Sequence, residues 1–170
     1  MIQNNWKYAG IVYDSLVDGD GIGATFFVQG CPHKCPFCQN PATWDFAGGK
    51  PFTKQVLDEL FLYFKDGIAD HLTMSGGDPL ANLELTYYIV SKFKETFPNK
   101  KVWLYTGYTY EFLVQDSKYK AILELVDVLV DGRFIYEQRT LNLPFRGSAN
   151  QRLIDIKKSL QESKVVLYSL

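Results

Sequence analysis

The chain has three cysteines, and all of them lie in the stretch Cys31-Pro32-His33-Lys34-Cys35-Pro36-Phe37-Cys38, in a C-x3-C-x2-C spacing. An odd number of cysteines within one loop does not build a disulfide framework, so metal or redox chemistry is the better interpretation. The two prolines restrict the loop backbone and allow three thiolates to converge. A four-iron cluster usually takes four cysteines, so three would leave one iron free to bind a substrate.

A small zinc site is the alternative for this loop, with His33 completing a Cys3His ligand set. Zinc motifs normally bring their ligands in two separated pairs, whereas here all four would crowd into one loop. We therefore favour the cluster and expect His33 to be a solvated loop residue.

A second motif, Ser75-Gly76-Gly77-Asp78-Pro79, combines two glycines with an acid. Glycines allow another group to approach the backbone closely, and a carboxylate complements an ammonium group. Taken alone, the motif is also compatible with an ordinary turn that starts a helix.

Apolar and β-branched runs predict the elements that position these motifs. Strands are expected at residues 24–29, 71–74, 102–105 and 126–130, with less clear strands at 8–16 and 165–168. Apolar residues at helical spacing predict a helix after Thr53, a second through residues 85–97, and a third over 109–125 with an interruption near Asp116-Ser117. Strands separated by helices predict an α/β fold with a mostly parallel sheet.

Each of the four clearer strands runs into a loop that contains glycine. In a parallel sheet or barrel these loops share one face, which carries the active site. The cysteines and Gly76-Gly77-Asp78 should therefore lie together. Thr106-Gly107-Tyr108 and Asp131-Gly132-Arg133 also end strands, and they are either part of the same cleft or purely structural turns.

Composition narrows the class of protein. The chain has 170 residues, 46% hydrophobic and 22% charged, without repeats or linkers, so we expect a single domain over residues 1–170. A net charge of -1 and the lack of a basic run argue against nucleic acid. We find neither a secretory signal nor an apolar stretch of bilayer length, and we expect a cytoplasmic protein without a membrane partner.

The cysteine spacing, with Phe37 just before the last cysteine, resembles the signature of the radical S-adenosylmethionine enzymes. This resemblance implies an incomplete (β/α) barrel that binds a 4Fe-4S cluster through Cys31, Cys35 and Cys38. It also implies that the open iron chelates S-adenosylmethionine, which is cleaved to a 5'-deoxyadenosyl radical. The implied cofactor-binding residues are Phe37, Cys38 and Gln39 beside the adenine, and Gly76, Gly77 and Asp78 at the methionine end. We add Thr106 as a cofactor-binding candidate because it ends a strand on the same face.

Most of the chain further resembles the proteins that activate anaerobic ribonucleoside-triphosphate reductase, a glycyl-radical enzyme. The similar segments are Val17-Asp18-Gly19-Asp20-Gly21, Gly30 to Cys35, Asn40 to Trp44, Ser75 to Leu80, Trp103 to Tyr108, Val128 to Phe134 and Phe145 to Arg152. The implied reaction removes the α-hydrogen of a glycine in the reductase, with an electron supplied by a donor such as a flavodoxin. No side chain is expected to act as an acid or base, because the cofactors carry the chemistry.

The open side of an incomplete barrel would admit a glycine on a polypeptide loop, and we consider Arg146, Asn150 and Arg152 candidate contacts of that partner. The chain departs from the family where Asp20 replaces the usual proline and Gly23 stands in place of an arginine. Three alternatives remain: an activase for another glycyl-radical enzyme, an enzyme like 7-carboxy-7-deazaguanine synthase, and a non-catalytic metal-binding or electron-transfer module.

Overall fold

A computed structural model describes residues 1–170, and the chain forms seven strands and five α-helices joined by short 3-10 turns. The strands are β1 (Lys7–Ser15), β2 (Gly23–Val28), β3 (Lys50–Pro51), β4 (His71–Gly76), β5 (Lys101–Tyr105), β6 (Val128–Asp131) and β7 (Arg152–Asp155). The helices are α1 (Lys54–Lys65), α2 (Leu83–Thr96), α3 (Tyr110–Leu113), α4 (Lys120–Leu125) and α5 (Ile156–Glu162).

All seven strands belong to one mixed sheet in the order β3-β1-β2-β4-β5-β6-β7. The four central strands β2, β4, β5 and β6 are parallel, while β1, β3 and β7 run antiparallel to their neighbours. The sheet does not close on itself. The predicted α/β class is thus confirmed, and the carboxyl ends of the parallel strands lie at one edge, as a parallel sheet requires.

The two faces of the sheet have different chemistry because strand side chains alternate. On one face, strand residues such as Phe26, Met74 and Leu104 join the main core of 26 buried hydrophobic residues under the helices. The opposite face carries a smaller apolar cluster around Trp103 beside polar Thr25. This second face carries the candidate site.

Local signals placed most of the elements correctly. The hydroxyl of Thr53 accepts from the N–H of Val56 and caps α1, as predicted. The helical run 109–125 is interrupted as expected, because Asp116 accepts from the N–H of Lys118 and starts a 3-10 turn between α3 and α4.

One element prediction is wrong, one strand was missed, and one boundary is shifted. No named strand covers residues 165–168, which contribute only an isolated bridge between Leu167 and Ile154. The strand that pairs with β6 is instead β7, whose short polar-flanked sequence gave no strand signal. The predicted strand 126–130 begins two residues later, since Val126 still caps α4. Among the helices, none is long and apolar enough to cross a bilayer.

Candidate iron-sulfur site and adjoining cavity

The cysteine loop leaves the carboxyl end of β2 and is held by backbone hydrogen bonds on both sides. The N–H of Gly30 donates to the carbonyl of Thr43 over 2.7 Å, and that of Cys31 donates to Trp44 over 3.1 Å. Gly30 has φ +114°, which a side chain would strain, and the ring of Phe46 lies where a Cβ would be placed. The start of the loop is therefore fixed relative to the sheet.

The three thiols are free and half-buried, and the Cys38 sulfur accepts a hydrogen bond from the N–H of Asn40 at 3.3 Å. Such a donor stabilises anionic sulfur and tunes a cluster. Burial raises the pKa of the Cys31 and Cys35 thiols, and the nearby backbone N–H groups oppose this only in part, so binding a cluster must displace their protons. The loop fits an iron-sulfur cluster.

His33 does not lie where the zinc alternative needs it. Its Nε2 is 2.6 Å from Oδ2 of Asp78, and its side chain is only 4% exposed. The expectation of a solvated histidine is wrong, because the ring packs against Tyr108 and contacts Asp78 inside the fold. No three His, Cys, Asp or Glu side chains converge closely enough for a single metal ion. A four-iron cluster is larger than a single ion and each cysteine binds a different iron, so its thiolates converge less closely than the ligands of one ion.

Asp78, the acid of the second motif, is buried with 1% exposure. Its Oδ1 accepts from the N–H of Leu80 at 2.9 Å, and its Oδ2 accepts from the N–H of Gly107 at 2.8 Å. The Thr106 hydroxyl lies 3.0 Å from both oxygens. The carboxylate thus joins the end of β4 to the turn after β5.

Beside the cysteine loop, the polar face of the sheet forms an open cavity of about 430 Å³, a size that suits a small-molecule ligand. Among the seven predicted cofactor-binding residues, Cys38, Gln39 and Gly76 line it. Phe37 is 73% exposed, with its ring 4.5 Å from that of Tyr136. The remaining three, Gly77, Asp78 and Thr106, are not among the lining residues.

Asp18 also lines the cavity, and sequence reasoning assigned it no role. Its carboxylate accepts from the hydroxyl of Thr25 at 2.9 Å, and its carbonyl accepts from the hydroxyl of Thr73 at 2.7 Å. Both threonines lie on the cavity face of the sheet. The only available signal was the position of Asp18 in the glycine-rich segment before β2.

Tyr105 and Phe145 close one side of the cavity. The Tyr105 hydroxyl donates to the carbonyl of Phe145 over 2.7 Å. Burial strongly raises the pKa of Tyr105, with a smaller contribution from Asp18, so the phenol stays protonated and keeps this bond. The segment between β6 and β7 is thereby attached across the cavity.

The three arginine and asparagine side chains considered as partner contacts differ in their surroundings. Arg146 lines the cavity, and its Nε donates to the nearby carbonyl of Pro144. Asn150 donates to the carbonyl of Arg133. The guanidinium of Arg152 forms ion pairs with Asp131 at 2.6 Å and with Glu111 at 2.7 Å, so it is engaged within the fold.

Comparison with known proteins bears on this site. A family model described as a 4Fe-4S single cluster domain matches residues 17–154. A protein of Vibrio cholerae serotype O1 is 42% identical over 140 residues, which cover 80% of this chain and 89% of that protein. Its counterparts in Enterobacteria phage T4 and Escherichia coli K12 are 41% and 36% identical, covering 81% and 80% of this chain and 86% and 90% of their own lengths. All three are named anaerobic ribonucleoside-triphosphate reductase-activating protein.

Proposed function

Because the chain belongs to the family of anaerobic ribonucleoside-triphosphate reductase-activating proteins, we propose that it generates the glycyl radical of such a reductase. One observation carries the proposal beyond membership: a loop with three free thiols lies at the carboxyl edge of a parallel sheet, and Cys38 of this loop lines the adjoining cavity. The relatives' names do not favour an activase for a different enzyme or a small-molecule synthase.

In this proposal Cys31, Cys35 and Cys38 hold a 4Fe-4S cluster. When bound, the reduced cluster and S-adenosylmethionine together supply a 5'-deoxyadenosyl radical that takes the α-hydrogen of a glycine. The chain contributes positioning and shielding rather than acid or base catalysis. Cys38, Gln39 and Gly76 support the cofactor assignment because they line the cavity next to the loop.

We propose that the sheet is an incomplete barrel of the radical S-adenosylmethionine type, and that its open side admits the glycine-bearing loop of the reductase. The unclosed seven-stranded sheet and the open cavity support this route. Arg146 is the candidate contact that remains at the cavity. For the electron donor we propose a flavodoxin-like protein.

We also propose a single domain and a cytoplasmic location for this chain. Residues 1–170 form a single domain, which is supported by one continuous sheet and a main core shared by residues from Ala24 to Ile156. The protein works in the cytoplasm, which is supported by three free thiols, since oxidation would destroy their function in an oxidising compartment.

The proposal is tested by anaerobic reconstitution with iron and sulfide, followed by incubation with the reductase, S-adenosylmethionine and a reductant. We expect a glycyl radical signal by electron paramagnetic resonance and iron bound to the chain. Cys35→Ala should lose both bound iron and cofactor cleavage, because one ligand is removed from the cluster. Zinc at unit stoichiometry without iron would instead support a non-catalytic metal module. Cofactor cleavage without a glycyl radical would point to another substrate.

A further inference from the structure

We propose that His33 and Asp78 are positioning residues which fasten the cysteine loop to the ends of β4 and β5. The proposal rests on the proposed function in one respect, namely that this loop holds a cluster. It gives Asp78 a different task from the one its motif suggests, because its carboxylate binds the protein itself rather than the ammonium group of the cofactor.

The hydrogen bonds of Asp78 account for its whole acceptor capacity. A carboxylate offers about four lone-pair sites. Four donors reach this one: the N–H groups of Leu80 and Gly107, the hydroxyl of Thr106, and Nε2 of His33. With 1% of the residue exposed and every site used, no oxygen of Asp78 is left to accept from a cofactor ammonium.

His33 is held from several sides. It lies between the ligand candidates Cys31 and Cys35 in the sequence, and its Nε2 is 2.6 Å from Oδ2 of Asp78. Its ring packs edge-on against Tyr108 with centroids 4.6 Å apart. Gly107 leaves room for the ring, because a Cβ at this position would lie 2.5 Å from the imidazole. The ring therefore fills a fitted slot in the turn after β5.

A second connection ties the same parts together at the other end of the loop. The side-chain N–H groups of Asn82 donate to the carbonyls of Gly30 and Asp78, both over 3.0 Å. The N–H of Asp78 also donates to the carbonyl of Gly30. Before Cys31, the loop is thus held through the backbone of Gly30. Between Cys31 and Cys35, it is held through the side chain of His33, which contacts Asp78.

Removing this connection should free the middle of the loop, and Cys31 with it. Hydrogen bonds to a charged group are stronger than those between neutral groups, and a tenfold change corresponds to about 1.4 kcal/mol. We expect His33→Leu and Asp78→Asn to release iron to a chelator at least about tenfold faster than the unaltered holoprotein. His33→Gln, whose amide nitrogen reaches to a similar position as Nε2, should restore most of the difference.

The measurement needs neither the reductase nor turnover: the cluster-loaded protein is mixed anaerobically with an iron chelator and the release is followed by absorbance. The double variant His33→Leu/Asp78→Asn should release iron no faster than the faster single variant, since both changes break one connection. If it fails to fold, the comparison of His33→Leu with His33→Gln still decides the question. If only the proposed function fails, the variants will still release iron faster than the unaltered holoprotein, but the unaltered holoprotein will produce no glycyl radical in the reductase.

Asp127→Asn is the matched control. It removes another largely buried carboxylate, which bonds Lys94 and the N–H of Val102 at the opposite end of β5. It should lower the melting temperature without accelerating iron release. The proposal is overturned if His33→Leu releases iron at the unaltered rate, or if Asp78→Asn weakens only the binding of S-adenosylmethionine and leaves release unchanged.

Discussion

Gly77 has no side chain, and this allows the Ser75–Pro79 motif to approach the cysteine loop closely. A Cβ on this residue would lie 2.2 Å from the carbonyl oxygen and 2.7 Å from the carbonyl carbon of Gly30. Both atoms are backbone, so neither can rotate away as a side chain would. The glycine is required here by close approach of two backbones.

We therefore expect Gly77→Ala to lower the free energy of unfolding by about 1–3 kcal/mol, because the two turns must move apart. The same shift should displace Gly30 and reduce the iron retained per chain. Urea unfolding and iron analysis measure the two effects.

Gly10→Ala provides the control for this substitution. A Cβ on Gly10 in β1 meets nothing within 4 Å, so its effect should stay within about 0.5 kcal/mol. Equal stability of the two variants would contradict the role given to the contact between Gly77 and Gly30.

Among the secondary-structure elements, α3, β6 and β7 are joined through one guanidinium. Arg152 on β7 donates to Asp131 at the end of β6 and, through two bonds, to Glu111 in α3. Asp131 in turn accepts from the N–H of Tyr110 at the start of α3. Hydrogen bonding from Arg152 holds the pKa of Glu111 below its usual value.

Arg152→Leu should lower the free energy of unfolding by about 2 kcal/mol, because it leaves the buried Asp131 carboxylate without its charge partner. This loss of stability is smaller than for a fully buried ion pair, because a third of the Arg152 side chain is exposed to solvent. Thermal unfolding checks the effect.

Lys118→Gln is the control for Arg152→Leu. It breaks an exposed ion pair with Asp116 and should change the free energy of unfolding by less than about 0.5 kcal/mol. If both substitutions were equally mild, the ion pair would not be holding β7 against α3.

For the whole molecule, His71 links stability to pH. Its ring is fully buried below Gly19 and Gly23, and neither nitrogen has a hydrogen bond of good geometry, although the backbone of Asp20 comes near. Burial lowers the pKa of His71, and the opposing fields of Asp18, Asp20 and Asp70 are weaker. The folded chain therefore favours the neutral ring.

Because the pKa of His71 is lower in the folded state, the unfolded chain binds more protons once the pH falls below about 6.5. The contribution of His71 is complete above that pH and declines as the pH falls toward the folded pKa. His71→Leu should make the free energy of unfolding less dependent on pH between about 7 and 5. Urea unfolding of the cluster-free protein across this range tests it, and parallel pH curves for the two proteins would refute it.

Local information in the sequence was sufficient to recognise the cysteine motif. It was also sufficient to predict the four parallel strands, the cap at Thr53 and the interruption at Asp116. Each depends on residues a few positions apart, which periodicity and capping rules describe directly. The same information placed the cysteines and the Gly-Gly-Asp motif at one edge of the sheet, because the carboxyl ends of parallel strands share an edge.

Only the tertiary structure showed that His33 meets Asp78 across 45 residues of sequence, that Asp18 turns into the cavity, and that Arg152 belongs to the fold. Strand β7 was likewise missed, since its four residues become a strand by pairing with β6. These contacts depend on strand order and on how loops fold back over the sheet, and residue spacing carries no information about either. The three cysteines could be recognised from their own segment, whereas the groups that hold their loop come from the ends of β4 and β5 and from the turn at Thr43-Trp44.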